Sequence, residues 1–171
     1  MTGEKYTGGF KDIFRISMKH NLRYMWWFRK YSKSPGMYKR YKLYRLSERY
    51  GLEILPKECG FGLYLGHAYG ITVGKGVIIG NCCNLHKGCT IGAENRGKRE
   101  GSPILGDRVY VGINASIIGD VKIGNDVMIA PNSFVNFDVP DHSVVLGNPA
   151  TIHHKENATA GYIAFCDGVE I

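Results

Sequence analysis

The stretch Val109-Tyr110-Val111-Gly112-Ile113-Asn114-Ala115-Ser116-Ile117-Ile118-Gly119-Asp120-Val121-Lys122-Ile123-Gly124-Asn125-Asp126-Val127-Met128-Ile129-Ala130 decides the fold. An aliphatic residue returns at every sixth position, at Val111, Ile117, Ile123 and Ile129, and Gly or Ala follows three of the four. A helix returns apolar residues every three or four positions and a half-buried strand every second, so a period of six fits neither. It fits a short strand plus a corner, repeated three times per turn of a solenoid. The same spacing extends back to Leu105 and forward to Val135, and an earlier run of it joins Val73, Ile79, Leu85 and Ile91. Two places before each aliphatic stands a second predicted inward set: Ile71, Val77, Cys83, Cys89, Val109, Ala115, Val121, Val127 and Ser133. These side chains are small or branched, as a narrow prism requires. The small residue after each aliphatic is expected to let the backbone turn without a Cβ clash.

The phase breaks between Ile91 and Leu105, where residues 93–103 read as an exposed loop, a lid carried by the rigid scaffold. Upstream, Phe10 to about Tyr31 and Met37 to about Tyr50 read as two helices parted at Ser34-Pro35-Gly36. The expected organisation is a basic, aromatic helical segment over 1–50, a β-solenoid over 51–150 and an irregular tail over 151–171. The class is mainly β.

The formal charge of +7 is unevenly placed. Residues 1–50 hold 13 Lys+Arg against 3 Asp+Glu, and the remainder 9 against 12. With Trp26, Trp27 and Phe28 among those cations, the segment reads as a solvated helical pair that packs an oligomer, or as a peripheral contact with an anionic membrane surface. No groove-reading motif accompanies the charge, so nucleic acid is not an expected partner. No apolar run reaches the roughly 18 residues of a membrane span, and no signal peptide pattern opens the chain. A cytoplasmic protein is expected, with the inner membrane face as the alternative placement. Five cysteines, odd in number and without a CxxC framework, predict free thiols. Cys82, Cys83, His86 and Cys89 together invite a zinc reading. The rung phase turns Cys83 and Cys89 inward as compact hydrophobes, so no metal is expected.

The repeat, the segment Leu65-Gly66-His67-Ala68-Tyr69-Gly70-Ile71 and the closing Gly147-Asn148-Pro149-Ala150 together resemble the serine acetyltransferase branch of the hexapeptide-repeat acyltransferases. The similarity runs from about Glu53 to Ile152. It looks nearest to the serine-acetyltransferase-like O-acetyltransferases associated with capsule and lipopolysaccharide synthesis. The resemblance implies a left-handed parallel β-helix, a homotrimer, and acetyl-CoA lying between neighbouring prisms. It aligns His67 with the family's catalytic histidine and, after a one-residue gap, Glu53 with the aspartate that partners it. It sets Gly112, Ile113, Ala115, Ala130 and Pro131 along the cofactor's arm, with Ile113 and Pro131 replacing alanines. Thr151 replaces a basic residue, leaving phosphate contacts to Lys155 or to Lys98 and Arg99.

The chemistry asks for such a pair, because an alcohol is a weak nucleophile and needs a base within hydrogen-bond reach as it attacks a thioester. A carboxylate on the second ring nitrogen would fix the tautomer and stabilise the imidazolium. The departures from the pattern concern the acceptor. Ser102 replaces a second active-site histidine, Gly101 a substrate-binding arginine and Gly66 a substrate-binding aspartate. Loss of those charged grips points away from an amino acid and towards a sugar or glycan hydroxyl. His86, one turn from His67, is a candidate for orienting the acceptor. The expectation is therefore an acetyl-CoA-dependent O-acetyltransferase acting on a sugar or glycan. Serine O-acetylation is the alternative within the family, and a non-catalytic β-helical scaffold the alternative outside it.

Overall fold

The computed structural model describes residue 14, residues 17–163 and residue 166. The N-terminal start expected for the first helix, Phe10, lies outside these residues. The chain divides into two compact units, Met1–Leu52 and Glu53–Ile171.

In the first unit, α1 (His20–Lys33) and α2 (Met37–Tyr50) flank Ser34-Pro35-Gly36. Phe14, Ser17 and Met18 are also helical, and Lys19, in an extended conformation, interrupts the helix just before α1. Gly51 closes α2 at φ 61°, a left-handed conformation that glycine adopts without a Cβ penalty. Tyr24, Phe28 and Leu43 are buried, and Tyr24 Oη lies 3.5 Å from Ser47 Oγ. Tyr38, Tyr41 and Tyr44 stay exposed. Among the described residues no helix is long and apolar enough to cross a membrane.

The second unit is a left-handed parallel β-solenoid of about five turns. Sheet A stacks β1 (Glu53–Ile54), β4 (Thr72–Val73), β7 (Thr90–Gly92), β10 (Ser116–Ile118) and β13 (Phe134–Val135). Sheet B stacks β2 (Glu58–Cys59), β5 (Ile78–Ile79), β8 (Ile104–Leu105) and β11 (Lys122–Ile123). Sheet C stacks β3 (Tyr64–Gly66), β6 (Asn84–His86), β9 (Tyr110–Val111), β12 (Val127–Ile129), β14 (Ser143–Gly147) and the antiparallel β15 (Ala150–His154). Each coil passes from A to B to C and returns to A. Every aliphatic of the six-residue phase from Val73 to Val135 is at most 2% exposed, and the second inward set from Ile71 to Ser133 at most 1%. The sequence phase begins at Val73, but a further coil precedes it. Ile54 pairs with Val73, Cys59 with Ile79 and Leu65 with Leu85.

The glycines after the aliphatics serve a more specific purpose than easing a turn. A Cβ on Gly60, Gly80, Gly106 or Gly124 would come closer than 3.0 Å to Asn81, Asp107, Asn125 or Asp141 of the next coil, respectively. Those side chains form a ladder. Asn81 Oδ1 accepts from Phe61 N at 3.2 Å, Asp107 Oδ1 from Asn81 N at 2.6 Å, Asn125 Oδ1 from Asp107 N at 2.8 Å, and Asp141 Oδ1 from Asn125 N at 2.7 Å. Each coil thus satisfies a corner N–H of its neighbour that the strands leave unpaired.

Two expectations need correction. Cys82 and Cys166 form a disulfide, with Cα atoms 5.8 Å apart, inside the usual span for such bonds. Among the described residues Cys59, Cys83 and Cys89 take no part in a disulfide. The tail, expected to be irregular, is an organised strap: β15 pairs with β14, Asp126 accepts hydrogen bonds from Ala158 N, Thr159 N and Thr159 Oγ1, and Asn84 Nδ2 donates to Tyr162 O. The strap climbs the B/C edge from the last coil to Cys82 and Gly62 in the first two.

Candidate active site

The corners joining sheet C to sheet A stack into one edge of the prism. On this C/A edge Gly66 is in register with His86, and the same register, continued through Val111 and Ile129, brings in Gly112 and Ala130. Backbone bonds Lys87 N to Gly66 O, Asn114 N to Lys87 O and Asn132 N to Ile113 O tie the successive corners. His67, Gly66, His86, Gly112, Ile113, Ala130 and Pro131 therefore share one edge. Successive coils are separated by about 4.8 Å, so three steps from His67 to Pro131 span roughly 14 Å.

His67 stands where this edge departs from its period. Leu65 and Val73, in register with Leu85 and Ile91, are eight positions apart instead of six. The corner thus holds two extra residues. His67 occupies this bulge at φ 49° and is exposed. Asn114 and Asn132, at later corners of the same edge, share this left-handed conformation at φ 57° and 59°, so it belongs to the turn of each coil and the two extra residues are what set His67 apart.

His86 lies beside it. A Cβ on Gly66 would fall closer than 3.0 Å to three atoms of the His86 ring, so the imidazole fills the space a side chain at 66 would need. The other face of His86 packs on Tyr110, with ring centroids 4.6 Å apart. Its Nε2 is buried with no hydrogen-bond partner among the described residues. Burial first, and then the His67 imidazole, hold His86 below the ordinary histidine pKa. The closeness of the two rings thus adds to burial in disfavouring a positive charge on His86.

The remaining candidates fall elsewhere. Glu53 is exposed on sheet A, and its N–H donates to Ile71 O at 2.9 Å. Among the described residues no hydrogen bond joins its carboxylate to His67. Ala115 points wholly into the prism and leaves only its backbone to the edge. Ser102 lies between β7 and β8, on the A/B edge, packed over Gly76. A single prism does not bring it to His67. Lys155 donates its backbone N–H to His142 O on the B/C edge, away from the C/A corners. The loop 93–103 is a tied hairpin. Glu94 and Gly101 exchange two backbone bonds of 3.0 Å, and Arg99 meets Asp138 at 3.4 Å and receives Asp120 N at its carbonyl.

Two features escaped the sequence. One is the Tyr110–Tyr162 pair behind His86, with centroids 5.2 Å apart. The other is the cluster on the B/C edge where His142 Nδ1 lies 2.9 Å from Asp126 Oδ2, with Glu156 between His142 and His154. Among the described residues no group of three or more His, Cys, Asp or Glu is arranged to hold a metal ion. Burial pushes the Cys83 and Cys89 thiols up to about 12, which keeps both protonated and inert.

Residues 102–136 match the bacterial transferase hexapeptide (six repeats) family. The chain is 32% identical over 153 residues to serine acetyltransferase of Buchnera aphidicola, covering 88% of this chain and 55% of the relative. It is 36% identical over 107 residues to serine acetyltransferase of Helicobacter pylori, with 62% and 63% covered, and 37% identical over 109 residues to serine acetyltransferase 2 of Arabidopsis thaliana, with 63% and 34% covered. Among solved structures it resembles Neisseria gonorrhoeae serine acetyltransferase in complex with serine, at TM-score 0.66 and 32% identity over 78% of this chain and 57% of that one. The chain spans less than two thirds of the length of these relatives. By its repeat, its coil register and these matches, the solenoid is similar to the hexapeptide-repeat acyltransferases.

Proposed function

We propose that the chain is an acetyl-CoA-dependent O-acetyltransferase that works as a homotrimer. The carrying observation is the exposed His67, held at positive φ in a two-residue bulge at the head of an edge whose later corners are Gly112-Ile113 and Ala130-Pro131. Acetyl-CoA lies along that edge with its thioester at His67. One ring nitrogen of His67 removes the proton from the acceptor hydroxyl as its oxygen bonds to the thioester carbon. Collapse of the tetrahedral adduct breaks the C–S bond, and the imidazolium returns the proton to the departing thiolate. Glu53 orients His67 once the complex tightens the site, since catalytic hydrogen bonds are often formed only there. Ser102, being on the A/B edge, reaches the acceptor from a neighbouring prism.

The relatives named serine acetyltransferase favour L-serine as the acceptor. A second reading, a sugar hydroxyl, rests on one specific arrangement: position 66 offers no carboxylate and its space is filled by the His86 ring, leaving an α-ammonium without that partner. Thiol release from acetyl-CoA, measured with L-serine and with a panel of sugars and glycans, separates the two. Turnover with serine alone removes the sugar reading. His67→Ala is expected to lower turnover about 10²–10⁴-fold with the oligomer intact. Unchanged turnover in that variant refutes the assignment of the base.

A further inference from the structure

The C-terminal strap carries more structure than a chain end needs. It makes contact at each level of the solenoid: β15 on β14 in the last coil, Ala158 and Thr159 on Asp126 in the fourth, Tyr162 on Tyr110 in the third, Tyr162 O on Asn84 in the second, and Cys166 bonded to Cys82 and packed on Gly62 at the far end. Asp126 is 6% exposed and accepts three hydrogen bonds from the strap. One of these contacts leads to the candidate active site. Tyr162 meets Tyr110 edge-on, at 65° between ring planes; Tyr110 packs against His86 at a tilt of 44°; and His86 lies over Gly66, next in sequence to His67.

We propose that the strap, residues 156–163 and Cys166, is a fixed wall of the acceptor site, with Tyr162 and Tyr110 as positioning residues that hold the His86 imidazole over Gly66 beside His67. This rests on the proposed function, in which the acceptor meets acetyl-CoA at His67. His86 can turn about its side-chain bonds, and nothing on its Gly66 side is a side chain. The ring is fixed from the Tyr110 side, and Tyr110 is backed by Tyr162. The Cys82–Cys166 bond and the Asp126 hydrogen bonds keep Tyr162 there by anchoring the strap on both sides of it. The strap reaches the C/A edge through Tyr110 and His86, so the wall acts on the acceptor beside His67 and leaves the cofactor corners at Gly112-Ile113 and Ala130-Pro131 in place.

The test uses Tyr162→Ala, Tyr162→Phe and Cys166→Ser in the full chain. The KM for L-serine, or for whichever sugar of the panel is turned over, is expected to rise about tenfold in Tyr162→Ala and by a smaller factor in Cys166→Ser, with the acetyl-CoA Kd from calorimetry unchanged. Tyr162→Phe keeps the ring and the backbone bond to Asn84 and should stay near wild type. An acceptor KM unchanged in Tyr162→Ala, or an equal loss in acetyl-CoA binding, overturns the proposal. A second readout needs no turnover: the His86 imidazole, followed by NMR against pH, should titrate higher in Tyr162→Ala as burial is lost. An unmoved titration also overturns it. Wild-type protein that neither binds nor consumes acetyl-CoA defeats the proposed function, while the His86 titration still decides whether the strap positions the ring.

Discussion

Gly66 and His86 compete for one volume, which makes Gly66→Ala a sharp probe of the candidate site. The added Cβ would come closer than 3.0 Å to three ring atoms of His86, and the ring is backed by Tyr110. Overpacking of this kind costs about 1–3 kcal/mol. The φ of Gly66 lies outside the left-handed region, so alanine brings no backbone strain and should gain about 0.4–1 kcal/mol by restricting the unfolded chain. The net expected loss is roughly 0–2.6 kcal/mol, or a fall in Tm of up to roughly 10 °C for a chain of this size. In a His86→Ala background the ring is gone, and the same Gly66→Ala change should become neutral or stabilising by about 0.4–1 kcal/mol. The double-mutant cycle, measured by denaturant unfolding at fixed protomer concentration, should therefore show a coupling of about 1–3 kcal/mol. Effects additive within about 0.5 kcal/mol would refute the claim that the imidazole occupies the space above Gly66.

Two further outcomes follow from the same structure. Ile117, fully buried on β10 between Ile91 and Val135, should cost about 2–5 kcal/mol on replacement by alanine, read as a lowered denaturant midpoint. The strap contact at Asp126 should be strongest at mildly acidic pH. Burial alone would raise the Asp126 carboxyl, but hydrogen bonds from Thr159, His142 and Ala158 outweigh it and hold the pKa low, so its contribution is lost as pH falls below the ordinary carboxylate value. The hydrogen bond to Asp126, with Glu156 and Asp141 nearby, raises His142, so its contribution is complete below about pH 6.5 and lost as pH rises through the raised value. Glu156 also lies 3.3 Å from His154 Nε2, so its carboxylate bridges the two histidines. The Thr159 amide resonance should report this window, and His142→Gln should abolish its alkaline limb while leaving the acidic one.

The repeat was legible because burial and period coincide: each inward position returns at a fixed interval, and no long-range knowledge is needed to see it. The first coil was not legible, since its inward residues Ile54, Cys59, Leu65 and Val73 are spaced by five, six and eight. The irregular eight is the bulge that carries His67, so the residue readable from family resemblance sits where the physical period fails. The strap was invisible for a different reason. Its partners lie 33 residues apart at Asp126 and Thr159 and 84 apart at Cys82 and Cys166, and a hydrogen bond or disulfide of that reach leaves no local pattern. The free-thiol expectation failed on the same ground, because Cys166 is brought to Cys82 only by the climb of the tail.

The placement of Ser102 shows what a linear match cannot resolve. Alignment puts Ser102 and His67 into one active site, yet the coil order puts one on the A/B edge and the other on the C/A edge of the same prism. Three-sided symmetry offers a resolution: in a closed ring of three prisms, the C/A edge of one copy faces an edge of the next, so residues from different corners meet across the interface. His86 and Tyr110 need no neighbour, because strand register within sheet C already joins them to Gly66. In the proposed trimer the candidate site would separate into a half built within each chain, around His67 and His86, and a half completed by assembly. Dilution below the trimer dissociation range should accordingly abolish turnover while leaving the His86 titration where it is.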